Sequence, residues 1–260
     1  MFRPPALVAL LVCSSVLAGS AGAQDQRATA VLELFTSQGC SACPPADAAL
    51  REFSRRPGIV ALSFSVDYWD YQGWRDTLAD RDFTSRQKAY AASHGDRQVY
   101  TPQMIVNGRV RVVGSDEKAI EKAIAAGPAP SVPITIDMMG DAISISVAAA
   151  QENEPRKATL MLALYERHVR VPIDRGENRG RTLEYDNVVR RLRPIAIWRG
   201  DAVKVDLPMA EYNESGTDGC AVLLQQETPD GALGPIIGAA RAETVTAASA
   251  FSPMLGRQTD

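Results

Sequence analysis

Two cysteines separated by two residues, Cys40 and Cys43, stand in the segment 35–47, FTSQGCSACPPAD. At the start of a helix, free backbone N–H groups and the helix dipole stabilise a thiolate on the first cysteine of such a pair. The second cysteine is then close enough to resolve a mixed disulfide. Pro44 and Pro45 lack N–H donors and fit only the first turn of a helix. The sequence therefore predicts a helix that begins at the cysteines and a redox centre at its start.

The CxxC spacing also occurs in two kinds of site that have no redox role. Half of a zinc site has the same spacing, but the sequence contains no second CxxC and no histidine pair at a suitable distance. The second kind is a purely structural disulfide, although a bridge that closes so small a loop removes little entropy from the unfolded chain. The residues alone favour redox chemistry and leave the structural disulfide open.

A second segment that could act in the same site is Thr101-Pro102. Pro102 heads a predicted strand, where a proline removes a donor from the strand ladder. Its presence is explained if the Thr101–Pro102 peptide bond is cis and the turn exposes the preceding backbone to a partner.

The elements that position these residues follow an alternating order. Residues 28–127 show the pattern β-α-β-α-β-β-α, which predicts a mainly parallel sheet. Within it, Asn107-Gly108 predicts a tight hairpin that adds an antiparallel edge. A linker rich in proline and glycine follows at 128–133. Short alternating runs over 134–243 predict a mainly β, sandwich-like domain, and 244–260 lacks periodicity and is predicted to be a loose tail.

The N-terminus has the layout of a secretory signal peptide. Arg3 precedes an apolar run at 6–17, and small residues follow at 21–23. This pattern predicts a signal peptide over 1–23 with cleavage after Ala23, and a secreted or periplasmic protein. The apolar run is shorter than the ~20 residues of a membrane-spanning helix, so no membrane span is expected. The formal net charge of −3 argues against a nucleic-acid partner.

The predicted mature chain has an odd number of cysteines. Cys13 is removed with the predicted leader, and Cys220 is left as a third cysteine in addition to Cys40 and Cys43. Cys220 lies in a predicted strand, which favours a buried free thiol over a mixed disulfide or an intermolecular bond.

An aromatic segment and an arginine-rich turn could contribute to the site. Tyr68, Trp69, Tyr71 and Trp74 could line a groove for an unfolded or peptide substrate, or could pack the loop against the protein. The turn at 175–181, RGENRGR, could bind an anion or dock against the redox domain, or could be a solvated surface turn.

Three segments together resemble one family. VLELFTSQGCSACPPAD, VDYWDYQGW and GENRGRTLEYDNVV are similar to the DUF1223 family of secreted, thioredoxin-like bacterial proteins. The resemblance implies a thioredoxin fold and a periplasmic address, and it implies no particular substrate. The resulting fold prediction is an α/β thioredoxin-like domain (β-α-β-α-β-β-α) followed by a mainly β, sandwich-like domain.

The resemblance also assigns roles within the thioredoxin superfamily. Cys40 matches the attacking cysteine and Cys43 the resolving one, while Pro102, preceded by Thr101, matches the cis-proline. Glu33 lies close to the position of a buried acid that helps move the proton of the resolving thiol, although the spacing here is one residue longer.

The function expected from these roles is thiol–disulfide exchange in an exported compartment. The expected partners are protein thiols or disulfides and a redox recycling partner, and no cofactor beyond the Cys40–Cys43 disulfide is expected. Two alternatives remain. One is a Cu(I)-binding chaperone that uses the same soft thiolates, for which His94 or His168 would have to supply a third ligand. The other is a non-catalytic binding protein with a permanent disulfide.

Overall fold

A computed structural model describes residues 28–139, 142–152, 157–208, 210, 216–228 and 231–243. The predicted signal peptide (1–23) and the predicted tail (244–260) lie outside the described residues. The first part of the chain forms, in order, β1 (Ala30–Thr36), α1 (Pro44–Ser54), β2 (Ile59–Ser65), α2 (Arg81–Ser93), β3 (Gln103–Val106), β4 (Val110–Val113) and α3 (Glu117–Ala126).

The second part of the chain is built from strands. They are β5 (Ile134–Met139), β6 (Ala142–Val147), β7 (Ala158–Pro172), β8 (Thr182–Trp198), β9 (Val203–Pro208), β10 (Gly219–Glu227) and β11 (Leu233–Glu243). Outside these strands and helices, a short 3-10 helix, Asp70–Gln72, lies between β2 and α2. No helix in the described ranges has both the length and the apolar character needed to cross a membrane.

One mixed sheet joins both parts of the chain. Its strand order is β11-β10-β7-β8-β2-β1-β3-β4. β1 pairs with β2 in parallel, but β3 pairs antiparallel with β1 and β4 antiparallel with β3. The prediction of a mainly parallel sheet is therefore corrected to a mixed α/β sheet. Strands from both sides of the predicted linker at 128–133 form this one sheet. The division of the chain into two domains at this linker stays a prediction.

The junction between the two parts is the β2–β8 pair. These strands run parallel and meet at Ser63 and Val188. Asn187, beside this contact, has a positive φ of 50° and donates its Nδ2–H to the Ala61 carbonyl at 2.8 Å. A side chain thus supplies a link between the strands where the local backbone turns away from regular β geometry.

Both faces of the large sheet are covered at β1 and β2. All seven residues of β1 and of β2 are buried, as expected for strands between two layers. α2 covers one face, where its Phe83 packs edge-on against Phe64 of β2. α1 and α3 cover the other face over β1 and β3.

A second, three-stranded sheet covers the rest of that other face. Its order is β5-β6-β9, and both pairs are antiparallel. Ile143 and Ile145 of β6 pack in one apolar cluster with Leu162 of β7 and Val222 of β10. The later strands therefore form a two-layer packing, but β7, β8, β10 and β11 also extend the sheet that carries the cysteine segment.

The predicted hairpin is confirmed. Asn107 and Gly108 have φ values of 52° and 64°, and they connect the antiparallel strands β3 and β4. The Asn107 side chain also accepts the Val31 N–H at 2.7 Å. The turn therefore connects two strands and caps the end of the neighbouring β1.

Candidate functional site

The cysteine pair lies at the start of α1. Cys40 and Cys43 form a disulfide with a Cα–Cα distance of 5.4 Å. Cys43 is the N-cap residue, and Pro44 and Pro45 occupy the first two helical positions. The Cys43 carbonyl accepts the Ala46 N–H at 2.8 Å, the first bond of the helix. The predicted position of the helix start is confirmed, and the positive end of the helix dipole adjoins the sulfurs.

The two cysteines are covered although the residues between them are not. Cys40 is 2% exposed and Cys43 is 0% exposed, whereas Ser41 and Ala42 are exposed. Ser41 and Ala42 therefore face solvent, while the two cysteines are buried within the protein. A thiol in solution has no open approach to Cys40 in this conformation.

Trp69 connects the residue before the pair with the residue before Pro102. A Cβ at Gly39 would lie 2.9 Å from the Cβ of Trp69, so only glycine allows this approach. The Trp69 indole Nε1–H donates to the Thr101 hydroxyl at 2.8 Å. Trp69 thus holds the Cys40 loop and the Thr101 turn together.

Pro102 lies beside the first turn of α1. The Thr101–Pro102 peptide bond is cis, as the sequence predicts. The Pro102 carbonyl accepts the Gly114 N–H at 3.0 Å, and a Cβ at Gly114 would lie 3.1 Å from the Cβ atoms of both Pro102 and Ala46. Since Ala46 is three residues beyond Cys43, the proline turn and the disulfide belong to one site.

Gln38 organises the loop before the cysteines. Its backbone N–H donates to the Asp76 carboxylate at 2.8 Å. Its side-chain oxygen accepts the Trp74 indole N–H at 2.8 Å, and its side-chain amide donates to the Thr77 hydroxyl at 3.1 Å. These bonds attach the β1–α1 loop to the segment that follows β2.

The loop between β7 and β8 covers the cysteine segment, and we call residues 173–181 the strap. The Asn178 Nδ2 amide donates to the carbonyls of Gln38, at 2.9 Å, and of Cys40, at 3.0 Å. The Ser41 N–H donates to the Glu177 carboxylate at 3.2 Å. The docking that the RGENRGR turn suggested is therefore present, and it is made by Asn178 and Glu177 rather than by the arginines of that turn.

Two buried carboxyl groups lie close to the cysteine loop. Asp47 follows Cys43 by one turn of α1, and its N–H donates to the Cys43 carbonyl at 3.1 Å. Burial raises the pKa of the Asp47 carboxyl to about 8, and the nearby Asp76 carboxyl adds to this effect. Burial likewise raises the pKa of Asp76 to about 6, although the N–H groups of Gln38 and Leu78 lower it.

The charged and polar groups around Asp47 explain why the pKa of its carboxyl stays raised. The Thr36 hydroxyl at the end of β1 and the Arg51 guanidinium lower its pKa, while Asp186 raises it. Arg51 itself is bound by Asp186 and Glu184 of β8. Because its charge is shared with those carboxylates, it does not offset the burial of Asp47.

Glu33 is not beside the cysteine pair. Its neighbours Leu32 and Leu34 face α1, so strand alternation places Glu33 on the opposite face, under α2. There Arg86 donates to its carboxylate at 2.7 Å, and the Tyr90 hydroxyl donates to its other oxygen. In this structure the buried acid near Cys43 is Asp47, which the sequence analysis did not single out.

The aromatic segment divides into packed and exposed members. Trp69 and Trp74 donate hydrogen bonds inside the site, and burial raises the pKa of the Tyr68 phenol to about 12. Tyr71 is 80% exposed. Three of the four predicted groove residues therefore pack against the protein, and Tyr71 alone among the four presents an open aromatic surface.

The histidines and Cys220 lie in other surroundings. Both ring nitrogens of His94 are 2.7 Å from backbone carbonyl oxygens, those of Tyr90 and Arg109. His168 faces Asp186 at 3.4 Å. Over the ranges that the structure describes, no group of three or more His, Cys, Asp or Glu side chains could hold a metal ion. Cys220 is a buried free thiol, as predicted, and burial raises its pKa to about 12.

Several residues of the site were not predicted from the sequence, and they differ in whether their local sequence indicated a role. Asp47 could have been found, because it stands four residues after Cys43 and so one helical turn away. Gln38 and Asp76 had no comparable signal, and the docking suggested for the 175–181 turn did not indicate Asn178 itself. Their roles arise from contacts between segments that are up to 140 residues apart in the chain.

These observations define an α/β protein with a central mixed sheet and a buried disulfide at a helix N-terminus. A family model, DUF1223, described as a protein of unknown function, matches residues 31–225, and the chain belongs to this family. The family resemblance predicted from the sequence is thereby confirmed. No curated protein matches the chain in sequence.

Two solved structures resemble the chain. A crystal structure of protein AGR_C_4864 from Agrobacterium tumefaciens has a TM-score of 0.75 and 36% sequence identity, and the match covers 83% of this chain and 94% of that one. HBP35 of Porphyromonas gingivalis has a TM-score of 0.60 and 13% identity, and the match covers 90% of this chain and 79% of that one. The second likeness concerns the fold alone.

Proposed function

We propose that the protein is an exported thiol–disulfide oxidoreductase with a thioredoxin-like core, in which Cys40 and Cys43 are the exchanging residues. The observation that carries the proposal is the disulfide between them, which lies at the N-terminus of α1 and beside the Thr101–Pro102 turn. A helix N-terminus stabilises a thiolate, and the thiolate is the reactive form of cysteine.

The topology of the first part of the chain supports the thioredoxin-like core. The order β2-β1-β3-β4 places two parallel strands beside two antiparallel ones, with α1 and α3 on one face and α2 on the other. The CxxC segment follows the first strand of this unit, and the cis-proline precedes its third strand. This arrangement supports the thioredoxin-like core that the sequence resemblance implies.

The exchange reaction has two steps. With a reduced pair, the Cys40 thiolate attacks a substrate disulfide, forms a mixed disulfide and releases one substrate thiolate. Cys43 loses its proton and attacks the Cys40 sulfur, which closes the Cys40–Cys43 disulfide and releases the second substrate thiolate. Two electrons pass from the pair to the substrate, and each released thiolate takes up a proton. Oxidation of a dithiol substrate follows the same steps in reverse.

The neighbouring residues would orient the substrate and hold the pair. Thr101 and Pro102 lie next to the loop of Cys40, where a bound polypeptide would pass. Tyr71 offers an exposed aromatic surface on the segment that carries Trp69. Protein thiols or disulfides are the proposed substrates, and the leader-like segment at 1–23 supports an exported address, where a recycling partner would restore the pair.

Variants of the two cysteines test the proposal. Cys40→Ser should abolish exchange with a disulfide-containing protein substrate, because it removes the attacking sulfur. Cys43→Ser should accumulate a mixed disulfide on Cys40, visible as a species of higher mass that reductant dissolves. Cys220→Ala removes a buried thiol outside the site and serves as the control, with unchanged exchange. If both Cys40→Ser and Cys43→Ser keep full exchange activity, the assignment is wrong.

A further inference from the structure

The strap is bound to the cysteine segment by an amide whose hydrogen-bonding groups are matched. Carbonyl oxygens only accept, so Gln38 and Cys40 require the Nδ2 group of Asn178. The Arg181 guanidinium only donates, and it binds the Asn178 oxygen at 2.8 Å. The orientation of the buried Asn178 side chain is therefore fixed by three partners.

The strap makes two further contacts across the site. Glu177 accepts the N–H of Ser41, which lies between the cysteines. A Cβ at Gly176 would lie 3.3 Å from the Cβ of Trp74, so the strap also approaches the aromatic segment closely. The strap therefore contacts the protein from Trp74 to Ser41, and it binds the backbone of Cys40, whose side chain is buried.

The strap has its own internal hydrogen bonds. The Gly180 N–H donates to the Ile173 carbonyl at 2.7 Å, and the Ile173 N–H donates to the Arg181 carbonyl at 2.9 Å. Ile173 is buried in an apolar cluster with Leu78 and Leu183, which anchors the base of the strap. Because these bonds do not involve the cysteine segment, the tip can move away without loss of the turn.

We propose that the strap occupies the binding place of an extended polypeptide and must move aside before a thiol or disulfide reaches Cys40. This inference rests on the proposed exchange function and names its substrate class. Displacement of the strap frees two acceptors, the carbonyls of Gln38 and Cys40, and one donor, the N–H of Ser41. An extended polypeptide carries N–H and C=O groups in alternation and can satisfy all three at once, whereas a small thiol offers fewer such groups and leaves some of the three to water.

The first test is the rate at which dithiothreitol reduces the disulfide in the oxidised protein. In this reaction two electrons pass to the pair, and dithiothreitol becomes a cyclic disulfide. Asn178→Asp keeps the size of the side chain but removes both donated hydrogen bonds, and Asn178→Ala removes the amide. Each variant should be reduced about tenfold or more faster than the wild type, because two hydrogen bonds no longer hold the strap closed.

The reduction test includes Arg179→Ala as a control and Glu177→Ala as a variant that perturbs the strap less than a change at Asn178. Arg179→Ala removes an exposed side chain from the same strap and should change the rate less than about twofold. Glu177→Ala breaks only the exposed contact to Ser41 and should accelerate reduction about twofold to threefold, even if the Asn178 variants do not fold. Unchanged rates in the folded Asn178 variants, or in Glu177→Ala if those do not fold, would overturn the role of the strap.

The second test addresses the substrate class. A ten-residue unstructured peptide with one central cysteine is compared with N-acetylcysteine amide, each in excess, as a reductant of the wild-type pair. One thiol attacks Cys40 and forms a mixed disulfide, and a second thiol releases the reduced pair and leaves as the disulfide of the two reductant molecules. The peptide should react at least about tenfold faster per thiol, and Asn178→Ala should reduce this advantage by opening the site to the small thiol. Equal rates for both thiols with the wild type would overturn the polypeptide assignment. Both tests follow reduction of the pair alone, so they can succeed even if the Cys40→Ser and Cys43→Ser variants refute protein exchange.

Discussion

Among single residues, Asp47 has a pKa that depends on the buried surroundings of the cysteine pair. Its carboxyl, on the first turn of α1, is buried, and burial raises its pKa to about 8. In the unfolded chain an aspartate ionises near pH 3.9. Between these two values the folded protein holds a proton that the unfolded chain releases, so the contribution of Asp47 to stability falls as the pH rises.

Asp47→Asn should remove this dependence on pH. The wild type should lose stability relative to the variant as the pH rises from 5 to 7.5, by at most about 1.4 kcal/mol per pH unit. The measurement is the free energy of unfolding in urea for both proteins at pH 5, 6, 7 and 7.5. A difference between the two proteins that stays constant across this range would contradict the protonated state of Asp47.

The site residues that could be predicted from the sequence are those whose chemistry restricts the local backbone. Proline lacks an N–H donor, so it is restricted to positions such as the first turn of a helix or the first residue of a strand. The start of α1 and the Thr101–Pro102 turn could therefore be predicted. The position of Glu33 was not. Alternation along β1 shows that Glu33 and Leu34 face opposite sides, but only the tertiary structure shows that α1 covers the side of Leu34.

At the scale of elements, three loops that are distant in sequence converge on the cysteine segment. The loop after β2 contributes Trp69, the turn before β3 contributes Thr101, and the strap contributes Asn178. Sequence periodicity predicted most of the strands and helices that these loops connect. It could not predict the convergence, since the contact between Asn178 and Cys40 joins residues 138 positions apart.

Gly39→Ala tests the convergence of these loops. The added methyl group would lie 2.9 Å from the Cβ of Trp69, which forces the two segments apart and strains the Trp69–Thr101 hydrogen bond. We expect a loss of about 1 to 3 kcal/mol in the free energy of unfolding and a shift in tryptophan emission. Ser41→Ala, at an exposed position in the same loop, should change stability by less than about 0.5 kcal/mol. An unchanged stability and emission in Gly39→Ala would show that the loops do not pack as described.

At the scale of the whole molecule, the shared sheet makes the site depend on both parts of the chain. Arg86 of α2 donates to Glu33 of β1 at 2.7 Å and to Gln225 of β10 at 2.8 Å, and all three side chains are buried. The network joins the first strand of the α/β part to a strand near the end of the chain. Strands that were predicted to form a separate sandwich therefore help to hold β1, which leads directly into the cysteine segment.

The Glu33–Arg86 pair tests this connection. Arg86→Met leaves the Glu33 carboxylate buried without its cation, and we expect a loss of about 3 to 5 kcal/mol in the free energy of unfolding. The double variant Glu33→Gln, Arg86→Met should recover part of this loss, because no unpaired charge remains. Arg111→Met breaks a more exposed ion pair with Asp96 and should cost less than about 1 kcal/mol. Equal stabilities of the single and double Arg86 variants would contradict a charge-paired network.

The reduction potential of the Cys40–Cys43 pair distinguishes an exchange catalyst from a structural disulfide. The purified protein is equilibrated with glutathione buffers, starting from both the oxidised and the reduced state so that slow access to Cys40 does not distort the result. The proposed exchange function predicts a potential between about −120 and −270 mV, the range of known exchange catalysts. A potential below about −300 mV would contradict it and identify the pair as a structural disulfide.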